Sequence, residues 1–147
     1  MMAVLVTGPP QNITRRVRYG SLVDVTAPGR LYVFDGSNWV PIAGDDVSTT
    51  NWANREIGVA LGASSAAGFA VEGVVALTTA LVSGSPAVGD PLYVAEAAGV
   101  GADKGLWTST APSDSGDVVR IVAYVQDVLS SGYRVRLTPD KPALEIA

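Results

Sequence analysis

Turn-forming residues divide this chain into short segments, and this feature most restricts how it can fold. Clusters of glycine, proline, aspartate and serine recur at intervals of about 8–12 residues. The runs between them are rich in valine, leucine and aromatic residues, and no long apolar stripe of period 3.6 is present. The pattern predicts an all-β fold, a small barrel or sandwich of short antiparallel strands with an extended N-terminal arm and little helix. An α+β fold with helices near residues 48–55 and 96–105 is the alternative.

The triplet Leu-Tyr-Val occurs twice behind a glycine-containing turn, at residues 31–33 and 92–94. Each copy predicts the start of a strand, with the leucine and valine on one face and the tyrosine on the other. The first copy continues into a hairpin, because Asp35-Gly36-Ser37-Asn38 has the composition of a tight turn. The flanking sequences of the two copies differ, so we interpret them as strand starts and not as an internal repeat.

Two longer apolar runs predict single core strands. Residues 68–77 alternate so that the better core face holds Phe69, Val71, Gly73, Val75 and Leu77. Residues 118–128 place Val119, Ile121, Ala123 and Val125 on one apolar face. The apolar region 57–82 contains Glu72 and several glycines, so we interpret it as buried strands and not as a membrane span.

The first residues differ from the rest in charge. The chain has 147 residues and a formal net charge of −4, but residues 1–30 hold four arginines against one aspartate. Pro9 and Pro10 exclude a helix or central strand there, so we predict an arm and first strand over residues 1–28 and a β-rich domain over 29–147. The acidic body argues against nucleic acid as a partner.

The arm combines apolar residues that suit strand pairing with arginines that suit an acidic partner. We hypothesise that residues 3–7 pair with a strand of a partner protein or of another copy. The candidate partner-binding residues are Val4, Leu5, Val6, Arg15, Arg16 and Arg18. The alternative is that these arginines are scattered on a solvated surface.

Most common catalytic chemistry is excluded by composition. The chain has no histidine and no cysteine, which excludes Ser-His-Asp and Cys-His nucleophiles and the usual zinc ligands. The carboxylate pairs Asp45/Asp46 and Asp114/Asp117 lie in turn sequence, where aspartate ordinarily caps the backbone, and a cation site or a hydrolase is the less favoured interpretation. We expect no enzymatic activity, no metal and no cofactor.

Aromatic side chains offer a further candidate site. Trp39 directly follows a turn, so it is the aromatic residue that we expect to be partly exposed to solvent. An exposed aromatic ring would suit stacking against a carbohydrate or peptide. The competing interpretation is ordinary core packing.

A family resemblance emerges from the order of several motifs. The segments GRLYVFDGSNWVPI, IGVALG, GFAVEGVVAL, VGDPLYVAEAAG, TSTAPSDSGDVVRIVAYV and LTPDKPALEI follow one another from residue 29 to residue 146. In this order they resemble small β-rich virion proteins of tailed bacteriophages, the head-decoration or cement proteins and related capsid- or fibre-associated domains. One departure is Ala123, where the family tends to have glycine before the tyrosine of the long strand.

The resemblance implies a structural role. A protein of this kind is made in the host cytoplasm, sits as a trimer on the outside of the head, and clamps neighbouring copies of the major capsid protein. No nucleic acid or membrane is implied as a partner. The alternative function is a receptor- or glycan-binding module of a phage fibre, head spike or tail.

Overall fold

The protein folds as a β-sandwich, which confirms the all-β prediction. The computed structural model describes residues 16–18, 21–22, 28–44, 52–63, 67–96, 104–115, 117–139 and 142–145. The helical structure in these ranges consists of 3-10 turns, of which two are Trp52–Asn54 and Thr79–Leu81. The α+β alternative is therefore not supported. Of the predicted arm and first strand over residues 1–28, residues 1–15, 19–20 and 23–27 lie outside the described residues.

Fourteen strands follow one another along the described parts of the chain. They are β1 Arg16–Arg18, β2 Ser21–Leu22, β3 Leu31–Phe34, β4 Asn38–Pro41, β5 Ile57–Ala60, β6 Phe69–Glu72, β7 Val74–Thr78, β8 Val82–Ser83, β9 Pro91–Val94, β10 Trp107–Thr108, β11 Val118–Arg120, β12 Ala123–Leu129, β13 Gly132–Leu137 and β14 Ala143–Glu145. Sheet A has the order β1-β6-β5-β3-β4-β2, and sheet B has the order β7-β13-β12-β9-β10-β8. Strands β11 and β14 form a separate two-stranded ladder.

Most strand pairs are antiparallel, and two are parallel. In sheet A, β2 pairs parallel to β4, and in sheet B, β10 pairs parallel to β8. Both parallel pairs lie at a sheet edge and are two residues long. In the strand order of the described residues, β1 and β2 are the two edge strands of sheet A.

The predicted hairpin forms β3 and β4. The side-chain Oδ1 of Asp35 accepts hydrogen bonds from the backbone amides of Ser37 and Asn38, both at 2.8 Å. Gly36 has a φ of +108°, which explains why glycine follows the aspartate. These hydrogen bonds, of which the one from Asn38 has the larger effect, hold the pKa of Asp35 below its usual value.

The main core lies between the two sheets. Leu31, Val33, Leu92 and Val94 are buried in it, as the two Leu-Tyr-Val triplets predicted. Trp107, from sheet B, donates through Nε1 to the carbonyl of Gly29 at 2.8 Å, close to the start of β3. This buried hydrogen bond ties the two sheets together at one end.

A second apolar cluster lies on the other face of sheet A. It contains Tyr32, Trp39, Ala60, Phe69 and Val71, with Phe34 packed against it. Because side chains alternate along a strand, Tyr32 faces this cluster while its neighbours in the triplet face the main core. Sheet A is therefore apolar on both faces.

The prediction of one strand over residues 68–77 is wrong. Gly73 has a φ of +106° and separates β6, in sheet A, from β7, in sheet B. The side-chain alternation changes there: Ala70 faces the main core before Gly73, and Val75 and Leu77 face it afterwards. Only a residue that tolerates positive φ allows this turn, so glycine breaks a run that looks continuous in the sequence.

The predicted strand at residues 118–128 is likewise divided. β11 ends at Arg120 and pairs with β14, whereas β12 starts at Ala123 and pairs with β13 and β9. The buried residues are Val118, Arg120, Val122, Ala123 and Val125, so the predicted face with Val119 and Ile121 is wrong in its first half. The two-residue break changes which side chains point inward.

Candidate functional site

The point where the arm joins the body is the first candidate site. Arg16 starts β1, and its Nε donates to Oε1 of Glu72, directly opposite on β6, at 3.1 Å. A second nitrogen, Nη1, lies 3.6 Å from Oε2 of Glu56. Glu72 is about half exposed, as Arg16 is, so the pairing contributes little to stability. The ion pairs do hold Arg16, the first described residue, at the edge of sheet A, with its guanidinium directed towards carboxylates of the same chain.

The remaining predicted partner-binding residues have different positions. Val4, Leu5, Val6 and Arg15 lie outside the described residues. Arg18 is the last residue of β1, and its backbone is opposite Phe69 of β6. Of the predicted set, the structure therefore brings Arg16 and Arg18 together on one short edge strand.

Trp39 is buried, so the expectation that it would be partly exposed is wrong. Its exposed fraction is 1%, and its ring stacks on Phe69 with centroids 4.5 Å apart. Gly58 makes room for it, because a Cβ at that position would lie 2.9 Å from the indole ring. Sequence alone could not show that an apolar cluster covers the outer face of sheet A.

Two tyrosines are the aromatic residues of sheet B that reach solvent. Tyr93 and Tyr124 are half-buried. They belong to the neighbouring strands β9 and β12, and Tyr124 lies opposite Arg136 of β13. The alternation of residues 91–94 could have identified Tyr93, because its neighbours Leu92 and Val94 are buried. The same alternation could have identified Tyr124, because its neighbours Ala123 and Val125 were predicted to face the core and are buried.

Three carboxylates come together at another place. One carboxylate oxygen from each of Glu96, Asp114 and Asp117 lies within 4.8 Å of the corresponding oxygens of the other two. Asp117 accepts from the backbone amide of Asp114 at 3.0 Å and donates its own amide to the Asp114 carbonyl at 3.0 Å. Asp114 and Asp117 thus serve the turn, as their sequence context indicated. Asp45 and Asp46 lie outside the described residues.

One arginine of the body is buried. Arg120 is 6% exposed, and its Nη1 donates to the Arg55 carbonyl at 2.8 Å. A longer contact of 3.4 Å joins Nη2 to the Pro139 carbonyl. Burial lowers the pKa of Arg120 from its usual value, since the charged form loses hydration. The guanidinium lines a cavity of about 10 Å³, which is room for about one water molecule.

No helix within the described ranges is both long enough and apolar enough to cross a membrane. Comparison with protein-family models finds no match. Comparison with curated proteins and with solved structures finds no match either. The functional assignment therefore depends on the residues and on the fold.

Proposed function

We propose that this chain is a non-enzymatic structural protein of a tailed-phage virion, which binds the outside of the capsid as a homotrimer and stabilises the shell. The observation that carries the proposal is the ordered series of motifs over residues 29–146, which resembles the head-decoration proteins. The β-sandwich of the body agrees with the β-rich fold that this resemblance implies.

The arm provides the contact with the major capsid protein. Residues 3–7, Ala-Val-Leu-Val-Thr, are uncharged and rich in strand-forming residues, so they suit addition to an exposed sheet edge. Arg16 is already paired with Glu72 and Glu56, and Arg15 and Arg18 therefore supply the charge for an acidic partner. Many such contacts, repeated around a shell, add to a strong total even where each is weak.

An exposed Trp39 would have favoured the alternative, a receptor- or glycan-binding module of a phage fibre, head spike or tail. That side chain is buried against Phe69, so it offers no support for this alternative, and we propose the capsid role.

Deletion of residues 2–10 tests the role of the arm and leaves β1 intact. The readout is occupancy on phage heads assembled without this protein, and we expect the deletion to abolish it. The matched control is Val88→Ser, a substitution of a 64%-exposed apolar residue in the turn before β9, which should leave occupancy unchanged. Full occupancy by the deletion variant would refute the arm model.

The mass of the purified protein in solution tests the trimer separately. Light scattering should give three times the mass of one chain. A stable monomer at micromolar concentration would contradict the trimer.

A further inference from the structure

The two sheets of the sandwich have the same strand arrangement. Sheet A has the order β1-β6-β5-β3-β4-β2, and sheet B has the order β7-β13-β12-β9-β10-β8. Strands at corresponding places also pair in the same direction, antiparallel throughout except for the last pair of each sheet, β4 with β2 and β10 with β8. Every strand of sheet A precedes Gly73 in the chain, and every strand of sheet B follows it. Sheet B is therefore a structural repeat of sheet A.

Backbone hydrogen bonds determine which residues correspond in the two repeats. Gly29 and Gly89 precede β3 and β9 with φ values of +88° and +92°. The Gly29 amide donates to the Ala60 carbonyl at 2.7 Å, and the Gly89 amide donates to the Val125 carbonyl at 2.8 Å. In both repeats the amide of that partner residue donates to the carbonyl of the residue after the glycine, at 2.9 and 3.0 Å. Gly89 is thus equivalent to Gly29, and Val125 is equivalent to Ala60.

This correspondence places two buried tryptophans at the same position. Trp39 and Trp107 each lie opposite the fifth residue after the equivalent glycine. The two Leu-Tyr-Val triplets, by contrast, are one residue out of step, since Tyr32 corresponds to Leu92. The triplets are therefore not copies of each other, and the repeat lies in the arrangement of the strands.

Because of this one-residue offset, opposite faces of the two sheets correspond. The second apolar cluster, on the outer face of sheet A, matches residues on the core face of sheet B. The equivalent pairs are Tyr32 and Leu92, Phe34 and Val94, Trp39 and Trp107, Ala60 and Val125, Phe69 and Val135, and Val71 and Leu137. Since side chains alternate along a strand, the core face of sheet A corresponds in turn to the outer face of sheet B.

The core face of sheet A is an interface between sheets. Leu31, Val33, Val59 and Ala70 lie on it within the main core. Their exposed fractions are at most 1%. In the first repeat, this face of the motif therefore packs completely against another sheet.

The equivalent face of the second repeat is open to solvent. The register places Pro91, Tyr93, Tyr124 and Arg136 at the four corresponding positions. The first three are half-buried, and Arg136 is exposed. Tyrosine and arginine are enriched at protein interfaces, whereas lysine and glutamate are depleted, and the described strands of sheet B contain neither lysine nor glutamate. The second repeat thus presents a face with the backbone shape of a packing surface and the composition of a protein interface.

The charge of this face indicates the kind of partner. Arg134 is paired with Asp127 at 2.6 Å, and Arg136 forms no ion pair with another residue in the part of the chain that the structure describes. The face is therefore cationic, whereas the whole chain has a formal net charge of −4. The remaining surface of a second copy is acidic and complementary to it. Two copies of the face itself would repel each other, so the contact is heterologous, and contacts of this kind generate rings when the rotation closes.

We propose that the outer face of sheet B is a protein-binding surface centred on Tyr93, Tyr124 and Arg136, and that it binds an acidic surface of a second copy of this chain. The inference rests on the proposed function in one respect, since it supplies one side of the contact that a homotrimer requires. The contact does not involve the arm, so self-association and capsid binding are separable in experiment.

Charge reversal at Arg136 tests the surface in the full-length protein. Arg136→Glu should raise the dissociation constant for self-association, measured by sedimentation velocity over a range of concentrations, at least about tenfold. Arg55→Glu is the matched control, because Arg55 is exposed just before β5 in sheet A and undergoes the same change of charge. The control should alter the dissociation constant less than about threefold, and circular dichroism checks that both variants are folded.

A labelling experiment locates the contact without a change of charge. Ala76 is exposed on the same face, opposite Arg134, and the chain has no cysteine of its own. Ala76→Cys should react with a maleimide several-fold more slowly at a concentration where the protein is associated than after dilution. The same variant with Arg136→Glu added should react at one rate at both concentrations.

The possible results distinguish this surface from the proposed function. If the wild type is a trimer but neither Arg136→Glu nor the labelling rate responds, the surface is overturned and the trimer stands. A protein that is monomeric at every concentration would overturn both. If the wild type is monomeric and Arg136→Glu abolishes occupancy on phage heads, the face binds the capsid and not a second copy, and the proposal is overturned as stated.

Discussion

Two buried tryptophans differ in a single interaction, and this makes them a matched test of the fold. Trp107 and Trp39 have exposed fractions of 0% and 1%. Nε1 of Trp107 donates to the carbonyl of Gly29 at 2.8 Å. Nε1 of Trp39 is buried and has no hydrogen-bond partner among the residues that the structure describes. Trp107→Phe and Trp39→Phe therefore remove the same atoms, but only the first removes a hydrogen bond.

The expected costs follow from this difference. The smaller ring leaves a partly filled space in either site, which costs about 1–2 kcal/mol. Trp107→Phe also leaves the buried Gly29 carbonyl without its donor, which adds about 1–3 kcal/mol. In Trp39→Phe the loss of an unpaired buried N–H is favourable and offsets part of the packing loss. We expect Trp107→Phe to be the more destabilising by about 1–3 kcal/mol.

Urea unfolding followed by circular dichroism measures both variants. The free energies of unfolding are compared at one protein concentration, because association would couple stability to concentration. Equal m-values would show that both variants unfold from a similarly compact state. If Trp39→Phe lost as much free energy of unfolding as Trp107→Phe, packing alone would set the cost, and the hydrogen bond of Trp107 would contribute nothing to stability.

Four further predictions concern the sheets and the turns. Gly132→Ala should lower the free energy of unfolding by at least about 2 kcal/mol, since the new Cβ would collide with the Leu77 carbonyl of the paired strand. At Gly89 there is open space, but φ is +92°. Gly89→Ala should therefore lower the free energy of unfolding by about 1–2 kcal/mol in the same assay. Asp35→Ala should destabilise the protein above pH about 4. The turn amides lower the pKa of Asp35, so its contribution is complete above the unfolded-state pKa and is lost as pH falls through the folded-state value; the stabilities of wild type and variant, measured against pH, should converge in acid. Arg134→Ala breaks an ion pair whose side chains are 45% and 46% exposed, and thermal unfolding should show a change below about 1 kcal/mol; a larger loss would mean that the pair is not solvated.

The strands that were predicted well are those with a strict local pattern. Leu31 and Val33 face the main core and Tyr32 faces the second cluster, because alternation is a property of an extended backbone. The hairpin turn at Asp35 is similarly local, since its side chain bonds amides two and three residues later. In both places the residues that decide the structure are sequence neighbours.

The wrong predictions concern runs in which the apolar pattern continues but the strand ends. At Gly73 the strand leaves one sheet for the other, and after Arg120 the ladder changes partners. A run of valines is compatible with a continuous strand and with a divided one. The pairing partner decides between them, and the partner is distant in sequence.

The candidate site was predictable to a smaller extent. That Asp114 and Asp117 serve a turn followed from their local sequence. The pairing of Arg16 with Glu72 joins residues 56 positions apart, and the burial of Trp39 depends on Phe69 and Gly58. Contacts of this kind are set by the stacking of strands and leave no mark in a single sequence.

The class of fold, the positions of the tight turns and the exclusion of histidine and cysteine chemistry could be predicted from the sequence, because they depend on residue type and near neighbours. Which strands pair, and that sheet A is apolar on both faces, became known only from the tertiary structure. Those features depend on register and on crossings between sheets. They arise from the summed burial of residues far apart in the chain, which no local pattern encodes.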